Sequence, residues 1–209
     1  MSAHPRPGPS LPARIQERLA ALYDVDAPSV DAFLVEAAST SANDEPREVL
    51  RVRRRRGAVE MALHLPSECI RPTGALSLDR LCQAAEGVSH FLYLAERGRR
   101  ELPSTQLELE IQAEVDKYLL VVGALADQPI DPARLGHVRH KLFASVRYLH
   151  PRGTPSGERY RLANAIAARF TTSLMDALQR RGMTRRLRAR LKAFFDAGQR
   201  EKIELALAA

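Results

Sequence analysis

"REVLRVRRRRGAVEMALHL", residues 47–65, decides between an all-helical chain and one that also carries a sheet. Its apolar residues repeat every second position rather than every 3.6. Leu50 and Val52 share one side, as do Val59, Met61, Leu63 and Leu65, and Gly57 follows the arginine run where a turn needs positive φ. The pattern predicts an antiparallel β-hairpin with Val59, Met61, Leu63 and Leu65 buried and Glu60 and His64 exposed. Two strands alone are marginal in water. Either Val30–Val35, readable as a short strand or a helical turn, or a helix is therefore expected to complete the layer.

On either side of this stretch the period is helical. Upstream, residues 1–12 hold four prolines and read as a disordered lead-in, and from Ala13 onward Ile15, Leu19 and Leu22 take helical spacing. Downstream, Ser77 is placed to cap a helix whose stripe is Leu78, Leu81, Cys82, Ala85, Val88, Leu92 and Ala95. Ser104 or Thr105 caps the next, with Leu107, Ile111, Val115, Tyr118, Val122 and Leu125 facing in, and "DQPIDP" breaks it. Asp131 and Pro132 start a helix with stripe Leu135, Val138, Leu142, Val146 and Leu149. A long helix runs from Ser156 or Glu158 to Arg181, closed by Gly182, and Thr184 caps a last stretch interrupted near Gly198. The fold class expected is α+β, mainly α. Residues 13–72 form a small N-terminal α/β subdomain with the hairpin at 47–65, and residues 73–209 form an antiparallel helix bundle.

Composition narrows the setting. Of the 209 residues 45% are hydrophobic, enough for a sizeable core, and the only cysteines, Cys69 and Cys82, are too few for a disulfide framework or a cysteine zinc site. The first residues lack the apolar centre of a signal peptide, and the longest apolar run, Leu119–Ala126, falls well short of the roughly 20 residues of a membrane helix. A cytoplasmic protein is expected. Net charge is +7, distributed unevenly: residues 73–128 carry five positive and nine negative charges, residues 129–209 seventeen positive and six negative.

Two groups of residues carry possible chemistry. The first is the basic stretch "RRGMTRRLRARLKAFF", 180–195. Arg185, Arg186, Arg188 and Arg190 fall in the first two turns after Thr184, with Lys192 next. Cations there oppose the helix dipole by roughly 0.3–1 kcal/mol each, so local propensity does not account for them. An acidic protein surface is the expected partner, with nucleic acid as an alternative. A third reading stays within the chain: Glu108, Glu110, Glu114 and Asp116 make an acidic helix able to lie against the arginines.

The second group is a carboxylate–histidine set: Glu86 and His90 at i,i+4, Glu110 and Glu114 at i,i+4, and His137 and His140 at i,i+3. On facing helices they could hold a metal ion and support a metal-dependent enzyme. The spacing departs from the Glu-x-x-His pattern of di-iron bundles, and the plainer reading is an i,i+4 hydrogen bond beside a solvated acidic face. No nucleophile elbow, phosphate loop or dinucleotide turn occurs. The sequence therefore assigns no catalytic residue, cofactor or metal, and reads as a non-enzymatic binding or adaptor protein.

Overall fold

The computed structural model describes residues 8–37, 47–55, 58–124 and 132–208. The order is α1 (Leu11–Tyr23), a 3-10 turn (Val30–Phe33), β1 (Leu34–Glu36), β2 (Val49–Arg55), β3 (Ala58–Leu65) and the short α2 (Ser67–Ile70). Then follow α3 (Leu78–Arg99), α4 (Gln106–Ala124), α5 (Pro132–Arg139) running into a π turn (His140–Ala144), α6 (Pro155–Arg181), α7 (Arg185–Asp196) and α8 (Gln199–Leu207). This is an α+β fold, mainly α: a three-stranded sheet joined to a set of packed helices.

Local signals set the helix ends. The hydroxyls of Ser77, Thr154 and Thr184 accept from the backbone N–H three residues on and cap α3, α6 and α7. Gly182, at φ +63°, closes α6. Ser10 caps α1, so that helix starts at Leu11, inside the stretch that the prolines suggested was disordered; residues 1–7 lie outside the described residues. Gln16 holds the turn after α1 by bonding the Val30 N–H (2.7 Å) and the Pro28 carbonyl (2.8 Å).

The sheet departs from a simple hairpin. β2 and β3 pair antiparallel as expected, but β3 is central and β1 adds to its other edge in parallel, with Leu34 opposite Leu63 and Glu36 opposite Leu65. The segment Val30–Val35 is thus both things at once, a helical turn and then a strand. Leu63 and Leu65 are fully buried and Met61 half-buried, whereas Val59 is 51% exposed. Alternation identified the buried face at Leu63 and Leu65, and Glu60 is exposed as expected, but His64 is half-buried rather than exposed; α3 packs on the Leu63–Leu65 end. Contact there is close enough that a Cβ at Gly87 would lie 2.8 Å from a Leu63 methyl carbon. The exposed arginines Arg51, Arg53 and Arg55 stand along the free edge strand β2, where charge discourages pairing with another chain.

A second difference lies after α5. The stripe Leu135–Leu149 predicted one continuous helix; it ends at Ala144, leaving Val146 in a loop and Leu149 64% exposed. In a continuing helix the Leu142 carbonyl would accept from Val146. Here Asn164 of α6 donates its side-chain amide to that carbonyl instead. The break expected at "DQPIDP" falls outside the described residues.

One buried cluster runs through Leu19 and Tyr23 of α1, Leu63 of β3, Val88 and Leu92 of α3, Ile111 and Val115 of α4, Phe170 of α6 and Phe194 and Phe195 of α7. α3 packs against both α1 and α4, and α4 against α6. Ring stacking ties the late helices in: Phe170 lies on Phe194 (3.8 Å between centroids) and Tyr23 on Phe195 (4.4 Å).

Candidate functional site

α3 and α4 bring a first polar group together in the interior. Glu86 and His90 of α3 and Glu110 of α4 each present a ligand-type atom, all within 4.8 Å of one another. His90 Nε2 lies 3.8 Å from Glu110 Oε2, is buried, and has no hydrogen-bond partner among the described residues. Glu110 is only 8% exposed, and its nearest cation is Arg159 Nε of α6 at 3.8 Å, beyond hydrogen-bond reach. Beside them Lys117 Nζ donates to Glu86 Oε2 (3.0 Å) and to Glu114 Oε1 (2.8 Å).

Burial, then the Glu86 charge, pushes the Glu110 carboxyl up to about 8. The same two causes push Glu48, which precedes β2 and whose buried Oε2 has no hydrogen-bond partner among the described residues, up to about 7. Burial, the largest single influence, would raise Glu86, but Lys117 and His90 together hold that carboxyl below the ordinary range. Burial keeps His90 below its usual value, so the imidazole is neutral at pH 7.

Of the six residues weighed from the sequence as ligands, three therefore converge. Glu114 is taken by Lys117, and His137 and His140 stand exposed on α5 and its π turn, outside the group. The acidic face read as solvated is in fact buried: Glu108, Glu110 and Asp116 are each less than a tenth exposed. Sequence reasoning missed Lys117 and Arg159. The i,i+3 spacing of Glu114 and Lys117 carried a signal for the first.

A second interior network joins α3 and α4 to α1 and α8. Asp116 accepts from Tyr23, Ser89 (2.6 Å) and Gln112 (2.9 Å). Lys202 of α8, fully buried, donates to Gln112 Oε1 (2.7 Å) and to the Phe194 and Phe195 carbonyls, over the rings of Tyr93 and Phe194. Burial pulls the Lys202 ammonium down to about 7 and pushes Asp116 up to about 6.

The basic stretch is arranged differently. α7 buries Leu187, Leu191, Phe194 and Phe195 and turns its arginines outward. A cleft of about 620 Å³ between α6 and α7 is lined by Arg180, Arg181, Arg186 and Arg190 with Ser173 and Thr184. Arg185 and Arg186 are exposed. Arg190 is half-buried, donates to Ser173 Oγ (2.7 Å) and lies over the Phe170 ring; burial, then Arg186, lowers its pKa. Arg188 is exposed but reaches the Ala21 carbonyl (2.9 Å) on the other side of α7. Lys192 is committed to Asp196 one turn on (2.6 Å). Among the described residues no carboxylate lies within 4 Å of Arg181, Arg185, Arg186, Arg188 or Arg190.

No protein-family model, no curated protein and no solved structure matches this chain. No helix of the described residues is long and apolar enough to cross a membrane.

Proposed function

We propose that this is a non-enzymatic binding protein that receives an acidic segment of a protein partner in the arginine-lined cleft between α6 and α7. The observation that carries the reading is the set of guanidinium groups around that cleft, Arg181, Arg186 and Arg190, with Arg185 beside it, none answered by a carboxylate among the described residues. Guanidinium forks pair with carboxylates bidentately, and their charge steers encounter with an acidic surface. The acidic helix α4 does not compete, because Glu108, Glu114 and Asp116 are hydrogen-bonded in the interior and Glu110 is buried beside His90.

Two other anionic partners fit less well. Sequence-tolerant nucleic-acid binding uses exposed aromatic platforms, and the two rings of this stretch, Phe194 and Phe195, are each only 1% exposed. A helix lying on a membrane needs a free apolar face, and that of α7 is consumed in the core. A cytoplasmic setting accords with two unpaired cysteines.

The test is a titration of the full chain with a labelled glutamate-rich peptide and, separately, with a single-stranded oligonucleotide of equal charge. The reading expects the peptide to bind, to weaken as salt rises, and to outcompete the oligonucleotide. Absence of peptide binding, or preference for the oligonucleotide, would overturn it.

A further inference from the structure

We infer that Glu86, His90 and Glu110 form a binding site for a single divalent first-row metal ion, with zinc as the probe of choice. This site is separate from the arginine cleft, and either can stand without the other.

Three observations carry it. The first is geometry. Bonds of roughly 2.0–2.2 Å to a tetrahedral ion put ligand atoms about 3.4 Å apart. His90 Nε2 and Glu110 Oε2 already stand at 3.8 Å, and all three ligand atoms lie within 4.8 Å of one another.

The second is unspent bonding capacity in a buried place. Buried polar atoms are nearly always hydrogen-bonded, so exceptions call for a partner. His90 Nε2 has none, and Glu110, more than nine-tenths buried, lies outside hydrogen-bond reach of every described donor. His90 Nε2 and Glu110 Oε2 stand 3.8 Å apart. Glu86 keeps only Oε2 on Lys117, so this contact orients the carboxylate as outer partners of metal ligands do.

The third is the donor set. One imidazole nitrogen and two carboxylates suit zinc, manganese or ferrous iron rather than the all-oxygen sites of calcium and magnesium or the thiolate sites of soft metals. Two carboxylates also match the charge of a divalent ion, while Lys117 is shared between Glu86 and Glu114. Against the ion stand Lys117, bonded to Glu86, and Arg159, 3.8 Å from Glu110. If these two cations suffice for the carboxylates, the group is an internal charge cluster and binds no metal.

The experiment uses the full chain, stripped with a chelator and titrated with zinc and then manganese by calorimetry. The inference expects one equivalent of metal, a melting temperature that rises with metal, and X-ray absorption showing nitrogen and oxygen ligands without sulfur. Glu110→Gln, which keeps size and shape, and His90→Ala should each lower affinity at least tenfold. His137→Ala/His140→Ala removes the exposed pair able to bind zinc adventitiously and should leave affinity unchanged. Circular dichroism of each metal-free variant checks that loss of binding is not loss of fold, and Glu110→Gln decides the matter where His90→Ala fails to fold. No stoichiometric binding, sulfur ligation, or binding that survives Glu110→Gln and disappears in His137→Ala/His140→Ala would overturn the inference.

Discussion

α4 and α7 are the acidic and basic helices of this chain, and they dispose of their charge in opposite ways. The carboxylates of α4 face inward, and three of the four are answered there by hydrogen bonds: Glu108 takes the Gln199 N–H, Glu114 takes Lys117, and Asp116 takes Tyr23, Ser89 and Gln112. The arginines of α7 face outward, and those with partners reach backbone carbonyls and a serine hydroxyl rather than acids. Opposite runs of charge in a sequence thus do not pair merely because they could. Burying an ion costs several kcal/mol, so an inward-facing acid must recruit partners within reach. An exposed guanidinium stays hydrated at little cost and remains available to another molecule.

The comparison breaks most visibly on the inward side. Asp116→Ala removes the acceptor of three buried donors and a counter-charge of Lys202, and should cost about 3–5 kcal/mol in urea unfolding. A loss under about 1 kcal/mol would mean that the inward network does not hold the helices together.

The pH dependence sharpens the same point. The Lys202 ammonium stands at about 7 in the folded chain, against about 10.4 when unfolded. Between those values the unfolded state binds the extra proton, so stability rises with pH across the window, by up to about 1.4 kcal/mol per pH unit. Lys202→Met should lack that rise between pH 7 and 9. Parallel curves for the two proteins would show that the three acceptors around Lys202 hold its proton as firmly as water does.

On the outward side effects on stability shrink. Arg190→Ala, which loses Ser173 and the face of Phe170, should cost about 1 kcal/mol. Arg185→Glu/Arg186→Glu should change stability by no more than about 0.5 kcal/mol, with a small gain from relief of the helix dipole. A larger loss on thermal melting would reveal an internal partner.

How much of this was readable beforehand follows from range. Caps and stops at Ser77, Thr184 and Gly182 are local chemistry, and each fell where the residues indicated; the long helix, expected from Ser156 or Glu158, starts at Pro155 under a Thr154 cap. The hairpin's face was readable too. The exposure of Val59 was not, because alternation says which way a side chain points and not how far α3 extends over it. The parallel partner of β3 and the capture of the Leu142 carbonyl by Asn164 are contacts between distant segments, with no local signature. In the interior group Glu86 and His90 could be placed on one helix face by spacing, but the meeting with Glu110 depends on how α3 and α4 pack. His137 and His140 have ligand spacing of their own, yet α5 turns them outward. Lys192 was a missed local signal: Asp196 stands four residues on and takes its charge.

The central claim is that α7 keeps its positive charge for another molecule, and one titration tests it directly. A labelled glutamate-rich peptide is titrated into the wild type, into Arg185→Glu/Arg186→Glu, and into Arg51→Glu/Arg53→Glu on the exposed edge of β2, which changes net charge equally. The account predicts that the α7 swap weakens binding by about tenfold or more, equivalent to about 1.4 kcal/mol, while the β2 swap has far less effect. Equal weakening by the two swaps, or none from the α7 swap, would contradict it.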